Sequence, residues 1–380
     1  MAAIDDAHEA VLKWLNLPPA EVDLVLGTII ANLFEGDPVN IMVVAGSSTG
    51  KSELLRGLFG HKFVHELSSV TPNTFLSGFT NPKNPNAQTS LLPRLEQGTT
   101  LVMKEWASIL SMHHSKKGEV IGQLREIADG RMVKEFGTGK IARWQGRIGM
   151  LGACTPAIES ELSLENAMGE RFLVIRLPDE NRKEMAHRAL TNTGKEVAMR
   201  EEINEAMLAA IDEAISRLDM PVTMDPMTFL FLEKCGDMLS WMRTGVERDR
   251  EHQVKHLPKL EGPARAVKIL TKLARAMCVL RNIDKPDRDV FNPIYHVTFG
   301  SIPSIRWELA LLIHQLGETT RDVIDRMVKH ASYWHLEDMV FLKIVEKSPG
   351  QPNGLTKPKD VYRIHDELDE TITYCENFVN

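Results

Sequence analysis

The residues that follow one short apolar run have the types and spacing needed to bind phosphate. Ile41-Met-Val-Val-Ala45 leads directly into Gly46-Ser-Ser-Thr-Gly50-Lys51-Ser52. The pattern G-x-x-x-x-G-K-[ST] is met except at its first position, where Ala45 is small enough to let the backbone bend. Lys51 would neutralise the β- and γ-phosphates of a nucleotide, and the Ser52 hydroxyl would be a ligand of Mg²⁺.

Lys51 and Ser52 are also predicted to open a helix that continues over Glu53–Phe59. The positive end of this helix and the N–H groups of the loop would then point at the phosphates. The predicted nucleotide-binding residues are Ala45, Gly46, Ser47, Ser48, Thr49, Gly50, Lys51 and Ser52, and the predicted cofactors are ATP and Mg²⁺. The alternative is a glycine- and serine-rich turn before an ordinary helix.

A second chemical group is expected at the end of a neighbouring strand, because nucleotide hydrolysis needs an acid that orients the attacking water. Thr99-Thr-Leu-Val-Met-Lys104-Glu105 is an apolar strand ending in a carboxylate, so Glu105 is the candidate. Lys104 stands where an aspartate that orders magnesium is usual. The metal would therefore be held by Ser52 and water alone, or another acid such as Asp129 would substitute.

Two further polar residues follow in the order that ring-forming ATPases use. Thr155 comes after the strand Arg147–Cys154 and is suited to sense the γ-phosphate. Arg171 opens a later strand, where an arginine is more often a surface or ion-pairing residue. In a ring of identical subunits Arg171 could instead reach the neighbour's γ-phosphate, and the order of the motifs favours this role.

The elements that must position these residues alternate between short strands and amphipathic helices over residues 36–178. This alternation predicts an α/β fold with a parallel sheet, in which the strands are 41–45, 100–104, 147–153 and 172–177. Residues 1–35 read as a helical lead-in. Residues 179–285 read as a helical subdomain with long helices over 196–218, 225–246 and 261–282.

The last segment, residues 286–380, has a winged-helix pattern. Three helices (305–314, 319–327 and 331–345) precede a basic loop over 348–359 and a strand over 360–364. The candidate DNA contacts are Lys329, His330, Tyr333 and Trp334 around the start of the third helix, and Lys357 and Lys359 on the wing. Many winged helices bind protein, and Glu337 and Asp338 make this helix only weakly basic, but DNA is the favoured partner.

Composition limits the remaining possibilities. The chain has 380 residues and a net charge of −7, so any attraction to nucleic acid must come from local basic surfaces. Its four cysteines are far apart and contain no C-x-x-C, which argues against a zinc ribbon or a disulfide framework. There is no long apolar run and the first residues are acidic, so we expect a cytoplasmic protein with no membrane partner.

Several segments follow one order known from a family of ring-shaped motors. They are Leu95–Gly98, Glu119–Ala128, Gly130–Arg147, Thr155, Gly169–Phe172 and Glu261–Arg275. Over residues 36–283 the chain resembles the AAA+ superfamily, within the branch that contains the minichromosome maintenance replicative helicases. The resemblance implies a P-loop AAA+ core with a helical lid, assembly as a homohexamer, and Arg265 contacting nucleotide from the lid.

A Gly-Thr-Gly tip between two β-like arms predicts a hairpin over 133–144. It resembles the hairpin that projects into the channel of such hexamers. Lys140 at the tip, with Lys134 and Arg143 on the arms, would then bind DNA phosphates. A solvent-exposed ribbon without a ligand would have the same composition, so both interpretations stay open.

The sequence thus favours a DNA-dependent ATPase, a helicase-like motor of the kind that phages and mobile elements use in DNA replication. Single-stranded DNA would occupy the channel, and duplex could meet the winged helix. One alternative is an ATPase that loads or recruits another enzyme on DNA. The other is a nucleotide-dependent switch that binds protein, in which Lys104 has weakened hydrolysis.

Overall fold

A parallel sheet forms the centre of the larger part of the molecule. The computed structural model describes residues 2–79, 88–160, 171–178, 182–329, 333–350 and 359–379. The first seven strands are β1 (Asn40–Val44), β2 (Val64–Glu66), β3 (Thr100–Met103), β4 (Arg131–Glu135), β5 (Ile141–Gln145), β6 (Gly149–Cys154) and β7 (Phe172–Arg176). Five of them pair in parallel in the order β2-β3-β6-β1-β7. The predicted α/β class is confirmed, and the four predicted strands lie within two residues of their observed bounds.

The remaining two strands, β4 and β5, form the predicted hairpin as a separate antiparallel pair. Its turn contains Gly139 at a φ of 80°, a left-handed conformation that glycine adopts without strain. Met132 and Trp144 face each other and are both buried in the core beneath the sheet. The side chains of the alternate residues on the two strands therefore project from the opposite face of the hairpin.

The described residues form two compact units, Met1–Met224 with Thr271–Val297, and Asp225–Leu270 with Thr298–Asn380. The helices are α1 (Ala3–Leu15), α2 (Pro19–Leu33), α3 (Lys51–Arg56), α4 (Ala107–Leu110), α5 (His114–Ala128), α6 (Arg182–Asn192), α7 (Glu196–Ile215), α8 (Pro226–Arg243), α9 (Ala264–Arg281), α10 (Arg288–Gly300), α11 (Ser304–Leu316), α12 (Arg321–Met327), α13 (Tyr333–Phe341) and α14 (Asp366–Val379). Predicted segment 179–285 contributes to both units. The predicted division of the chain into residues 1–35, 36–178, 179–285 and 286–380 stays a prediction.

In the first unit, α7 packs against α1, α2 and α3. The contact with α3 is close at Gly57, where an added Cβ atom would lie 2.4 Å from the sulfur of Met207. Arg200 of α7 also forms an ion pair with Glu53 of α3, at 2.9 Å between Nε and Oε2. The helix that begins at the phosphate-binding loop is thereby fixed to α7.

Asn32 joins α2 to the start of the sheet in the same unit. Its buried side-chain amide donates to the Val39 carbonyl (3.0 Å) and the Thr100 hydroxyl (3.1 Å), and its oxygen accepts from the Val39 N–H (2.8 Å). An added Cβ atom on Gly149 would lie 1.9 Å from the Asn32 amide nitrogen. Glycine is therefore required at the first residue of β6.

In the second unit, a three-stranded antiparallel sheet follows α11. Its strands are β8 (Thr319–Thr320), β9 (Val345–Gly350) and β10 (Lys359–Ile364), in the order β8-β10-β9. The predicted helix over 331–345 was too long, because Lys343 has a φ of 57° and the chain enters β9 at Val345. Among the described residues, no helix is both long enough and apolar enough to cross a membrane.

Candidate functional site

The predicted phosphate-binding loop connects β1 to α3. Every residue of β1 is buried, and α3 begins at Lys51. Between them, Ser48 and Gly50 have φ values of 64° and 85°, in the left-handed region. Left-handed residues that alternate with others in a turn direct the backbone N–H groups inward, which produces a concave surface suited to anions.

Lys51 is folded back over this loop. Its side-chain ammonium donates to the carbonyl of Gly46 at 2.7 Å, and the Thr49 hydroxyl donates to the same oxygen at 2.9 Å. Lys51 is 9% exposed, although its neighbours Ser47 and Ser48 are open to solvent. An ammonium has three donors, and the contact with Gly46 uses one of them, so donors remain for a ligand bound at the loop.

Glu105 and Thr155 lie at the same edge of the sheet as the loop. The Ala45 N–H donates to the Cys154 carbonyl (3.2 Å). The N–H of Trp106, which follows Glu105, donates to the Ala153 carbonyl (2.9 Å). Burial raises the pKa of the Cys154 thiol, the charge of Glu105 raises it further and that of Lys51 lowers it. One thiol therefore lies within electrostatic reach of both predicted catalytic charges.

Glu105 itself is exposed, and its carboxylate has no ion-pair partner in the part of the chain that the structure describes. Thr155 is half-buried directly after β6. Because β6 lies between β1 and β3, its carboxyl end stands between the phosphate-binding loop and Glu105. Lys51, Thr155 and Glu105 are therefore brought together, as the sequence predicts for a hydrolytic site.

The Lys104 ammonium contacts Glu66 and Phe59 of the same chain. Its ammonium forms an ion pair with Glu66 at the end of β2 (3.0 Å) and lies 5.0 Å from the centre of the Phe59 ring. Burial alone would raise the pKa of Glu53, but the hydrogen bonds from Arg200 and the nearby positive charges, including Lys104, lower it. Lys104 thus supplies a positive charge where a carboxylate was expected.

Asp129 was wrong as a substitute metal ligand. It follows α5 and accepts two hydrogen bonds from Arg171, at 3.1 Å from Nε and 2.8 Å from a terminal nitrogen. Arg171 precedes β7, and its carbonyl accepts a hydrogen bond from Asn40 at the first residue of β1. This is the amino edge of the sheet. Ser52 lies at the carboxyl edge, so Asp129 cannot share a metal with it.

A cavity of about 250 Å³ adjoins the phosphate-binding loop within the first unit. Its walls come from the end of α1, the loop at Ser48–Gly50, and the facing surfaces of α6 and α7. The apolar side chains are those of Trp14, Leu15, Met185, Ala189 and Met199, and the polar ones are those of Arg188, Asn192 and Glu196. No sequence motif indicated this cavity, because α6 and α7 read as parts of a separate helical subdomain.

The hairpin separates its cations onto two faces. Lys134 lies on the buried-side face, where its ammonium donates to the Pro72 carbonyl and to Asn73 (3.2 Å) and Glu119 (3.1 Å). Its donors are therefore occupied by protein groups, unlike those of a phosphate contact. Arg143 is on the other face and Lys140 is at the tip, and both are exposed.

Arg131 is a cation that the sequence analysis missed. It shares the outer face of the hairpin with Arg143, because the register pairs Arg131 with Gln145 and Val133 with Arg143. Arg131, Lys140 and Arg143 have no ion-pair partner in the described residues. The alternation along β4 identifies Arg131 once the register is known.

The candidate DNA contacts in the second unit differ in their surroundings. Trp334 stacks on His252 with ring centres 5.2 Å apart, and the Arg248 guanidinium lies 4.9 Å from the Trp334 ring. Lys359 forms an ion pair with Asp322. Lys329 and Tyr333 are exposed.

Three further predictions have limited structural support. His330 and Lys357 lie outside the described residues. Arg265 lies at the start of α9 in the second unit, and its contact with nucleotide stays a prediction. No group of three or more His, Cys, Asp or Glu side chains in the described ranges could hold a metal ion.

No protein-family model matches the sequence, and the search of curated proteins finds no significant match.

Proposed function

We propose that this protein is an ATPase of the P-loop AAA+ type that uses ATP hydrolysis to move along or remodel DNA. One observation carries the proposal. Lys51, Thr155 and Glu105 follow the carboxyl ends of the three adjacent strands β1, β6 and β3, at one edge of the sheet. A charge for phosphate, a polar sensor and a free carboxylate are the groups that nucleotide hydrolysis requires.

The cavity beside the loop supports a nucleotide rather than a simple phosphate. Ser48, Thr49 and Gly50 of the loop form one of its walls, so a phosphate chain bound by the loop would lie directly beside it. Leu15 packs against Gly50 at one wall, with 3.6 Å from an added Cβ on that glycine. Apolar walls with a few polar groups suit a purine and its ribose.

The side chains divide the chemistry between them. Lys51 donates hydrogen bonds to phosphate oxygens and stabilises their negative charge, after releasing the carbonyl of Gly46. The Glu105 carboxylate accepts the proton of the attacking water. The Thr155 hydroxyl contacts the γ-phosphate and thus reports whether it is present.

Magnesium fits this site only in part. Ser52, the second residue of α3, offers one hydroxyl, and no group of three or more His, Cys, Asp or Glu side chains in the described residues could hold a metal ion. Mg²⁺ often keeps several waters and binds through substrate phosphates with few protein ligands. Ser52 would hold the ion together with the phosphates and water, and the ion would neutralise charge on the γ-phosphate.

The role of Arg171 requires a second copy of the chain. It lies at the opposite edge of the sheet from Lys51 of its own subunit, separated by the five residues of β1, about 16 Å. It would therefore act on a neighbour's nucleotide in a ring, which we propose to be a homohexamer. To do so, Arg171 would exchange its two hydrogen bonds with Asp129 for the γ-phosphate.

Two surfaces would contact DNA. Lys140, Arg143 and Arg131 on the hairpin are exposed cations available for phosphates. In the second unit, α11, α12 and α13 with the sheet β8-β10-β9 support a winged helix. From the predicted lid, residues 179–285, α6 and α7 of the first unit would cover the nucleotide.

The test is the ATPase rate of the purified protein without DNA, with single-stranded DNA and with duplex. We expect stimulation by single-stranded DNA and its loss in Lys51→Ala. Lys116→Ala, which removes an exposed lysine of α5, is the matched control and should behave as the wild type. No nucleotide binding in the wild type would refute the proposal.

A second candidate, a nucleotide-dependent switch that binds protein, is favoured by one observation. Lys104 is paired with Glu66 where the hydrolytic ATPases of this type have an acid, so the turnover could be slow. ATP binding with a near-zero rate that no form of DNA increases would identify the switch.

A further inference from the structure

A groove of about 800 Å³ lies between the hairpin tip and the loop that precedes residue 80. Asn73, Ser77, Gly78 and Phe79 line one side, and Phe136 and Lys140 line the other. All of these residues belong to the first unit. The groove is distinct from the nucleotide cavity, which is lined by α1, α6 and α7.

Phe79 presents its ring to solvent from a backbone that is held in place. The side chain is 61% exposed. Its N–H donates to the Ser77 hydroxyl (3.1 Å), and its carbonyl accepts from the Thr89 hydroxyl (2.8 Å). The Ser77 N–H in turn donates to the Ser90 hydroxyl (3.0 Å). The ring is therefore held at a fixed place with most of its surface open to solvent.

The two walls of the groove are locked together. The backbone of Gly78 lies against Phe136, since an added Cβ atom would be 2.6 Å from the Phe136 ring. The Lys134 ammonium connects the hairpin to the Pro72 carbonyl and the Asn73 side chain. Lys134 is therefore a positioning residue, which keeps Phe79 at a fixed place beside the hairpin tip.

The charge of the groove matches a nucleic acid backbone. Lys140 is exposed, it has no ion-pair partner among the described residues, and none of the described residues that line the groove carries a carboxylate. An aromatic ring open to solvent beside an uncompensated cation is the combination that binds single strands, by stacking on a base and neutralising a phosphate.

We propose that this groove binds an unpaired nucleotide of single-stranded DNA, with the base stacked on Phe79 and a phosphate at Lys140. The inference rests on the proposed function and specifies the form of DNA it acts on. A duplex does not offer a base face, because both faces of each paired base are covered by its neighbours in the stack. Only a single strand can use both groups of the groove.

The test measures binding of a fluorescein-labelled oligo(dT) by anisotropy, with Mg²⁺ and a non-hydrolysable ATP analogue present. The second probe has the same length and label but carries abasic sites throughout. Phe79→Ala should weaken binding of oligo(dT) about fivefold or more and leave the abasic probe unchanged. Phe79→Tyr, which keeps a ring, should bind oligo(dT) as the wild type does. Lys140→Ala should weaken the binding of both probes.

Phe229→Ala is the matched control, because Phe229 on α8 is 54% exposed and lies in the other unit. If the wild type binds oligo(dT) and Phe79→Ala binds it equally well, the stacking inference is overturned and the DNA motor stands. If the wild type binds neither probe, the DNA part of the proposed function fails as well. A change in subunit number in Phe79→Ala, seen by light scattering, would assign the ring to a contact between copies and overturn the inference.

Discussion

Replacing Glu105 by glutamine separates nucleotide binding from hydrolysis. Glu105 is exposed and its carboxylate has no ion-pair partner in the described part of the chain. The amide has nearly the same shape, so the free energy of unfolding should stay within about 0.5 kcal/mol of the wild type. Lys51 and the loop are untouched, so the affinity for ATP should be retained.

The rate should fall far more than the stability. A positioned general base contributes about 10²- to 10⁴-fold, which corresponds to about 2.7 to 5.5 kcal/mol of activation free energy. An amide cannot take the proton from water, so nearly all of this contribution is lost. We expect Glu105→Gln to bind ATP and to hydrolyse it at about 1% of the wild-type rate or less, since the smallest contribution in that range is 10²-fold.

Glu66→Gln provides the matched control at the end of the neighbouring strand β2. It removes one carboxylate and breaks the surface pair with Lys104, which is worth about 1 kcal/mol at most. Phosphate release and the binding of a fluorescent ATP analogue are measured for both variants. A Glu105→Gln rate within threefold of the wild type would refute the assignment of Glu105 as the base.

Two other substitutions test the nucleotide cavity and a buried acid. Ala189→Trp should fill the cavity beside the loop and lower the affinity for an ATP analogue about tenfold or more, measured by fluorescence titration. Ala186→Trp, at an exposed position of the same helix, should not, and equal affinities would show that the cavity is not used. Burial raises the pKa of Glu21 to about 7 from 4.5, so the folded state binds a proton more tightly than the unfolded state. The free energy of unfolding should therefore fall from about pH 4.5 to 7. In Glu21→Gln this fall should be absent in urea titrations at pH 5 and 8, and an unchanged pH dependence would contradict the explanation.

The parts of the fold that the sequence predicts are those fixed by local patterns. β1 is buried throughout and is apolar after Asn40, so an apolar run before a Gly-rich loop was enough to place it. The hairpin was predicted because Gly137 and Gly139 permit a tight turn between two arms. The sequence also predicted that Lys51, Glu105 and Thr155 lie at one edge of the sheet, because each follows a strand of a parallel sheet.

Other features depend on contacts between distant segments. Asp129 and Arg171 are 42 residues apart, and only the fold places them together at the amino edge. Lys134 meets Pro72 across 62 residues, so its inward direction has no local signal. Residues 348–350 of β9 were predicted to be loop because they contain Pro349, which is tolerated there because β9 pairs only with β10.

The hairpin and the predicted γ-phosphate sensor, Thr155, are attached to opposite ends of strand β6. Only residues 146–148 separate β5 from β6, and Thr155 directly follows β6. Strand β6 has six residues and is about 20 Å long, with β1 on one side and β3 on the other. Such a strand cannot shorten or bend independently of its neighbours. Any sliding of β6 along its axis at the carboxyl edge of the sheet would therefore reach the base of the hairpin through residues 146–148 alone.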